Sequence, residues 1–301
     1  TEVAHFKNCV PLAGAVEYLP TGGGESAAVA LLQAYIPNQG DAWSYTLAYL
    51  ERVVESLRED ETHDAYLTLI QTLATRTAEL HRAFALHSGD PAFEPEPLTA
   101  QDIDVWRGRV RQEAEETLRI IEKSEKAKPV AAQRARILAF IERCPMPKKK
   151  AMKTRHHGDY HLGQVLVSNN DFLIIDFEGE PSRPLVESRR KHAPLRDVAG
   201  MLRSFSYARG STQLRERTEP NIERLVPALE AWERSTRQAF LQAYAAAMEG
   251  SGVYDAFEDM RGVLHLAEME KVLYELRYEA ANRPDWMHIP VQGLLALLEG
   301  A

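Results

Sequence analysis

The sequence predicts an α+β chain whose strands come early and whose helices make up most of the remainder. Residues 14–19 and 27–36 are apolar, strand-like runs separated by glycines. The long segments that follow carry apolar residues at three- and four-residue spacing, as amphipathic helices do. We therefore expect a small first lobe, residues 1–36, made of a hairpin and a hinge, and a large helical lobe, residues 37–301, that contains a second hairpin.

The first two strands are joined by a glycine-rich segment, residues 21–25. Three consecutive glycines could cradle a phosphate, but no Gly-x-Gly-x-x-Gly or Walker pattern surrounds them and no helix follows. A flexible turn is the better interpretation. Helices are predicted at residues 43–58, 64–86, 100–126, 131–143, 195–207, 223–248, 254–279 and 291–298.

The second hairpin is predicted between residues 165 and 175, where two apolar runs flank Asn169, Asn170 and Asp171. Such a polar triplet is typical of a tight turn. The turn brings the segment before the first strand and the segment after the second strand to the same edge of the sheet. Asp159 and Gln164 precede the hairpin and Asp176 follows it, so we expect these side chains to form a site.

Charge and composition exclude several classes of protein. A net charge of −8 and a pI near 5.7 argue against nucleic-acid binding. Cys9 and Cys144 lie far apart and suggest neither a disulfide framework nor a zinc site. No apolar run approaches the roughly 18 residues of a membrane span, and the first residues lack a signal-peptide profile. A cytoplasmic location is expected.

The segment His-Gly-Asp-Tyr-His-Leu-Gly-Gln at 157–164, with Ile-Asp-Phe at 175–177, resembles the catalytic loop and metal-binding segment of kinase-like phosphotransferases. The aminoglycoside and choline kinase branch is the most similar. The resemblance implies that Asp159 accepts the proton of a substrate hydroxyl and that Gln164 and Asp176 hold the Mg²⁺ of ATP. Gln164 stands where the family has Asn, and its amide oxygen remains available to a metal. Glu178 is either a further ligand or a solvated side chain.

Three other residues of this region have interpretations of their own. His157 and His161 are expected to hold the loop through ring hydrogen bonds rather than to bind zinc, because Mg²⁺ prefers oxygen ligands. Asp197 stands just inside a predicted helix start. Its carboxylate either interacts with the helix dipole or braces the backbone of the catalytic loop, as the resemblance implies, and one residue can do both.

Long strings of the chain are similar to the bacterial maltokinases, which also occur fused behind trehalose synthase. The strings are residues 33–43, 157–167, 174–181, 194–205 and 270–284. Membership would imply ATP-dependent phosphorylation of maltose at its anomeric hydroxyl, giving maltose 1-phosphate for α-glucan (glycogen) synthesis. It would also place the backbone of Gln33, Ala34, Tyr35 and Ile36, between the lobes, against adenine.

A candidate site for the acceptor sugar follows from helical spacing. Lys271, Tyr274, Glu275 and Tyr278 stand at i, i+3, i+4 and i+7, hence on one helix face, and Trp286 follows. Tyrosines at this spacing also fit a helix core, but a stripe that contains Lys and Glu is polar for a core. We therefore expect these residues to bind the sugar.

The resemblance also implies elements that this sequence does not contain. A complete maltokinase has an ATP-covering loop, a phosphate-binding lysine and a partner glutamate upstream of the equivalent of Thr1, and Lys7 does not fit that lysine. We therefore expect this chain by itself to have little or no activity.

Two functions other than that of a maltokinase remain open on the sequence. A catalytically silent domain that serves as a scaffold for a trehalose synthase is one alternative. A phosphotransferase for another small alcohol is the other.

Overall fold

The computed structural model describes residues 4–23, 26–56, 63–179, 189–218 and 222–300. In these residues helices dominate, and three two-stranded antiparallel sheets accompany them. The sheets pair β1 (Leu12–Tyr18) with β2 (Ala27–Gln33), β3 (Glu96–Pro97) with β4 (Met152–Lys153), and β5 (Val165–Ser168) with β6 (Asp171–Ile174). The α+β class predicted from the sequence is confirmed, whereas the division into lobes at residue 36 stays a prediction.

Among the residues that the structure describes, the helices agree in number and order with the sequence pattern, except for one short addition, α4. They are α1 (Ala42–Ser56), α2 (Asp64–Phe84), α3 (Ala100–Ile121), α4 (Lys128–Ala131), α5 (Arg134–Arg143), α6 (Leu195–Arg215), α7 (Ile222–Met248), α8 (Arg261–Asn282) and α9 (His288–Glu299). The start of α3 shows how a helix boundary can be predicted from residues that are close in the sequence. Thr99 accepts a hydrogen bond from the backbone N–H of Asp102, whose carboxylate accepts one from the N–H of Thr99.

The sequence prediction is wrong for the start of α8, which was expected at Tyr254. The helix begins at Arg261, after a 3₁₀ turn over residues 257–260. Tyr254 instead forms an antiparallel bridge with Ala151, and the carbonyl of Val253 accepts a hydrogen bond from the N–H of Met152. Pairing with a distant segment therefore outweighs helical periodicity here.

The two hairpins differ in their surroundings. Nearly every side chain of β1 and β2 is exposed, including Val16, Tyr18 and Leu32. In β5 and β6 burial alternates, and Phe172 and Ile174 belong to the core. The second hairpin is therefore the one that packing fixes in place.

Local geometry and one ion pair position the second hairpin. Asn169 and Asn170 both have positive φ, at 53° and 60°, as a tight two-residue hairpin turn requires. Arg76 of α2 donates two hydrogen bonds to Asp171 at the first position of β6, from Nε to Oδ1 at 2.8 Å and from Nη2 to Oδ2 at 2.9 Å. This two-point contact ties the hairpin to the helical body.

The core forms where α6 packs against α7 and α8, and where α7 packs against α2. Trp232 and Tyr244 of α7 are fully buried and contact Tyr66 and His81 of α2. α6 is buried on nearly all sides, so its polar side chains need partners inside the protein. Cys9 and Cys144 are free and buried. Within the described ranges, every helix is too short or too polar to cross a membrane.

Candidate active site

The loop over residues 156–164 is anchored by a buried carboxylate at the start of α6. Asp197, 2% exposed, accepts hydrogen bonds from the backbone N–H groups of His157 at 2.7 Å and Gly158 at 3.0 Å. Nε2 of His81 lies 3.2 Å from the same carboxylate. Burial acts to raise the pKa of Asp197, but the contact with His81 and the neighbouring imidazoles hold that pKa well below its usual range. An ionised carboxylate therefore braces the loop.

Two imidazole rings inside the loop make the hydrogen bonds that shape it. Nε2 of His157 donates to the carbonyl of Ile175 at 2.8 Å, which links the loop to the segment after β6. Nδ1 of His161 accepts from the N–H of Gly163 at 3.0 Å. Both rings are thus engaged with backbone atoms.

Close packing against α6 and α2 completes the support of the loop. A Cβ on Gly200 of α6 would stand 2.5 Å from the carbonyl oxygen of Tyr160, so only glycine permits this approach. The hydroxyl of Tyr160 lies 2.8 Å from that of Thr77 of α2. The loop is consequently held between two long helices.

Asp159, the predicted base, lies between two groups that favour its ionised form. Oδ2 is 3.7 Å from Nε2 of His161, and Oδ1 is 3.5 Å from Nζ of Lys271 on α8. Partial burial acts to raise the pKa, but His161 and the Lys271 ammonium lower the pKa of Asp159 to about 2. The carboxylate is therefore held in its ionised form, as its predicted role as a base requires.

The predicted metal ligands Gln164 and Asp176 meet at the base of the second hairpin. Nε2 of Gln164 donates to Oδ2 of Asp176 at 2.7 Å. Asp176 has a φ of 63°, an uncommon backbone conformation for a residue other than glycine, and the two residues that follow it, Phe177 and Glu178, are exposed. Glu178 makes no hydrogen bond or ion pair with the described residues.

The chemistry of these side chains fits Mg²⁺. In the part of the chain that the structure describes, no three His, Cys, Asp or Glu side chains form a cluster able to hold a metal. Mg²⁺ does not need one, because it is commonly bound by one or two protein oxygen atoms together with water and substrate phosphates. Asp176 offers a carboxylate, and Gln164 offers its amide oxygen once the terminal amide has turned.

An open cleft of about 670 Å³ begins beside Asp159 and runs along α8. It collects seven of the predicted site residues: Asp159, His161, Lys271, Tyr274, Glu275, Tyr278 and Trp286. Gln164, Asp176, Glu178 and the predicted hinge do not line it. The helix face predicted to hold the sugar and the predicted base therefore border one space.

Aromatic rings form a wall of this cleft. The rings of Tyr274 and Tyr278 stack at 6.1 Å between centroids, and those of Tyr207 and Trp286 at 6.3 Å. Such flat, partly polar surfaces suit the C–H faces of a sugar ring, while the charged groups beside them suit its hydroxyls. The cleft is therefore chemically suited to a carbohydrate.

Glu275 has a partner inside the protein. Its carboxylate accepts hydrogen bonds from Nη2 of Arg203 at 2.7 Å and Nε at 2.9 Å, and both side chains are nearly fully buried. Gly293 of α9 leaves room for this arginine, since a Cβ there would collide with the guanidinium. The pair shapes the cleft floor by joining α6 to α8.

Sequence reasoning missed five residues of the cleft that bear directly on its charge and shape. They are Trp43, Arg203, Tyr207, Glu279 and Arg283. Arg203 had a usable signal, because an arginine within the apolar sequence of α6 needs a buried acidic partner. Trp43 had none, since its place beside α8 depends on how α1 packs.

The predicted adenine-binding segment leads from the end of β2 toward α1. β2 ends at Gln33, the N–H of Ala34 donates to the carbonyl of Pro11 at 2.9 Å, and the side chain of Tyr35 is exposed. The carbonyl of Ile36 accepts from the Asn38 side chain at 2.9 Å. The backbone groups of this segment are thus partly engaged within the chain, and nucleotide binding by them stays a prediction.

Comparison with known proteins shows which family model and which relatives match this chain. Residues 34–257 match the model of a family described as "Phosphotransferase enzyme family". The chain is 26% identical over 281 residues to a glucosamine kinase of Streptacidiphilus jiangxiensis, covering 92% of this chain and 59% of that protein. It is 28% identical over 280 residues to a glucosamine kinase of Mycolicibacterium smegmatis (strain ATCC 700084 / mc(2)155), covering 90% and 63%.

A solved structure shares the fold. A glucosamine kinase in complex with glucosamine, ADP and inorganic phosphate superposes with a TM-score of 0.79 at 22% identity, covering 98% of this chain and 66% of that chain. A second crystal form of a glucosamine kinase gives 0.77 at 23% identity, covering 98% and 64%. The chain thus spans roughly three fifths to two thirds of the length of the relatives that it matches.

Proposed function

Because this chain belongs to the phosphotransferase enzyme family, we propose that it is a kinase that transfers the terminal phosphoryl group of ATP to a hydroxyl of a sugar. Its fold is the kinase-like fold of that family. The observation that carries the proposal is the position of Asp159, on a braced loop at one end of a cleft with an aromatic wall.

The proposed reaction assigns each group a task. The acceptor hydroxyl oxygen forms a bond to the γ-phosphorus of ATP, the bond from that phosphorus to the β-γ bridging oxygen breaks, and ADP leaves. Asp159 orients the hydroxyl and takes its proton. Because the transition state of phosphoryl transfer is loose, positioning matters more than strong basicity, so a low pKa is compatible with this role. Mg²⁺ held by Gln164 and Asp176 would neutralise phosphate charge.

Two acceptors are proposed for the first test. Maltose, phosphorylated at its anomeric hydroxyl, is implied by the similarity of the sequence to maltokinases, and a cleft of about 670 Å³ with two aromatic stacks suits a disaccharide. Glucosamine is implied by the names of the relatives and by the sugar in the complex with ADP.

The decisive experiment measures ADP release and sugar phosphate formation with ATP, Mg²⁺ and a panel of acceptors. The panel contains maltose, glucosamine, glucose, trehalose and an aminoglycoside, and ³¹P NMR locates the phosphate on the product. Asp159→Asn serves as the control, with its folding checked by circular dichroism. Transfer to a sugar that this variant abolishes is the expected result.

The other outcomes each select a different function. Transfer to the aminoglycoside alone would indicate a kinase for another small alcohol. Because this chain by itself is expected to have little activity, a negative result is tested on the folded protein with its natural upstream segment restored. Transfer to none of the acceptors would then contradict the proposal and favour a scaffold for a trehalose synthase.

A further inference from the structure

We propose that Lys271 makes the acceptor cleft select uncharged sugars over sugars that carry an ammonium group. The inference rests on the proposed function, since it assumes that the cleft beside Asp159 receives the acceptor. It goes beyond that function by assigning a charge preference to the cleft and a residue that sets it.

The carboxylates of the cleft are the first place where an ammonium group would bind, and each already has a cation of the protein beside it. Glu275 is bound by Arg203 at 2.7 and 2.9 Å. Glu279, fully buried, accepts hydrogen bonds from Nη2 of Arg283 at 2.7 Å and Nε at 3.0 Å, and from the Tyr207 hydroxyl at 2.9 Å. Neither carboxylate offers an uncompensated charge to a ligand.

Asp159, the third carboxylate lining the cleft, is contacted by His161, whose Nε2 lies 3.7 Å from Oδ2, and is compensated by the charge of Lys271. Nζ lies 3.5 Å from Oδ1, and the lysine side chain keeps 29% of its surface exposed, on the cleft side. An ammonium group brought to Asp159 would meet a like charge only a few ångströms away, a distance at which the repulsion persists even in a partly solvated cleft. A hydroxyl meets no such repulsion and can accept a hydrogen bond from Nζ.

The aromatic faces are the second place where a cation could bind, and they too are covered. Nζ of Lys271 lies 5.1 Å from the centroid of the Tyr274 ring. The guanidinium of Arg283 lies 5.2 Å from the centroid of Tyr278 and 4.6 Å from that of Trp286. Since cations of the protein already use these faces, a ligand ammonium gains little from them.

Besides His161, the described lining of the cleft therefore holds three lysine or arginine side chains and three acidic side chains, each acid beside one of these cations, with no place prepared for an additional positive charge. Lys271 is the member of this set that reaches the reacting end, because it touches Asp159. Selection by an unfavourable contact with the wrong ligand is a common way to build specificity. At 26% and 28% identity, the glucosamine kinases above need not share it.

The test compares glucose with glucosamine, a pair that differs only by a hydroxyl or an amino group at C2. N-acetylglucosamine, which is bulkier but uncharged, controls for size. Both kcat/KM for phosphorylation and the dissociation constant by calorimetry are measured at pH 6, where the amino group of glucosamine is protonated, for the wild type, Lys271→Met and Lys271→Arg. Met keeps the length of the side chain without its charge, and Arg keeps the charge.

We expect the wild type to bind glucose at least 10-fold more tightly than glucosamine, Lys271→Arg to keep that preference, and Lys271→Met to reduce it by on the order of 10-fold. Because the readout is a ratio of two ligands, a general loss of folding or activity in a variant does not change it. Equal binding of the two sugars by the wild type, a preference for glucosamine, an unchanged ratio in Lys271→Met, or no sugar binding at all would overturn the proposal. Selective binding without phosphoryl transfer would leave it standing while contradicting the proposed function.

Discussion

Replacing Asp197 by Asn should destabilise the folded protein by about 1–3 kcal/mol, because three donors converge on its buried carboxylate. Oδ2 faces the N–H of His157 and Nε2 of His81, and Oδ1 faces the N–H of Gly158. An Asn oxygen can serve one of these sides, but its NH₂ group must then face a donor on the other side. A buried donor left without an acceptor costs about 1–3 kcal/mol. Asp197→Ala removes all three contacts and should cost about 3–5 kcal/mol.

The effect has a defined dependence on pH. The folded-state pKa of Asp197 lies below the ordinary value of about 3.9. Its stabilising contribution is therefore fully present above the unfolded-state pKa and is lost as the pH falls toward the folded-state value. The difference between wild type and variant should stay constant from about pH 5 to 8 and shrink below about pH 4.

Urea unfolding monitored by circular dichroism measures the free energy of unfolding and needs no assumption about activity. Asp104→Asn is the matched control, since Asp104 on α3 is 68% exposed and pairs with Arg107 at 3.0 Å. Such a surface pair contributes about 0–1 kcal/mol. The reasoning would be refuted if Asp197→Asn were no more destabilising than Asp104→Asn, or if its effect grew below pH 4.

The remaining predictions concern chemistry. Asp159→Asn should lower kcat by on the order of 100-fold with unchanged unfolding, and near-normal turnover would remove Asp159 as the base. The pKa of Asp159 is lowered to about 2, so its carboxylate stays ionised above about pH 4. The pH profile of kcat/KM should therefore show no loss of activity from protonation of Asp159 above about pH 4. A fall in kcat/KM near pH 5 that Asp159→Asn abolishes would contradict this. Asp176→Asn should weaken Mg²⁺-dependent ATP binding in calorimetric titrations far more than Glu178→Gln, and equal effects would argue against Asp176 as the metal ligand.

Local patterns in the sequence were sufficient for much of the fold. Helix faces, the two hairpins and the turn at Asn169 and Asn170 depend on residues that are neighbours along the chain, so their spacing predicts them. The segments around Asp159 and Asp176 are likewise each continuous in the sequence. The helical spacing of Lys271, Tyr274, Glu275 and Tyr278 predicts that these four residues share one helix face. Their roles in catalysis and in sugar binding stay predictions.

Tertiary packing decided what the spacing could not. The start of α8 moved because Tyr254 pairs with a segment some hundred residues away. Asp197 braces the loop because the start of α6 packs beside it, α2 brings His81 to the same carboxylate, and Lys271 reaches Asp159 because α8 packs beside the loop. The sequence by itself determined which side chains share a helix face or a turn, since those distances follow from backbone geometry. Which distant charges compensate one another was decided by the helix packing, since it alone brings them within a few ångströms.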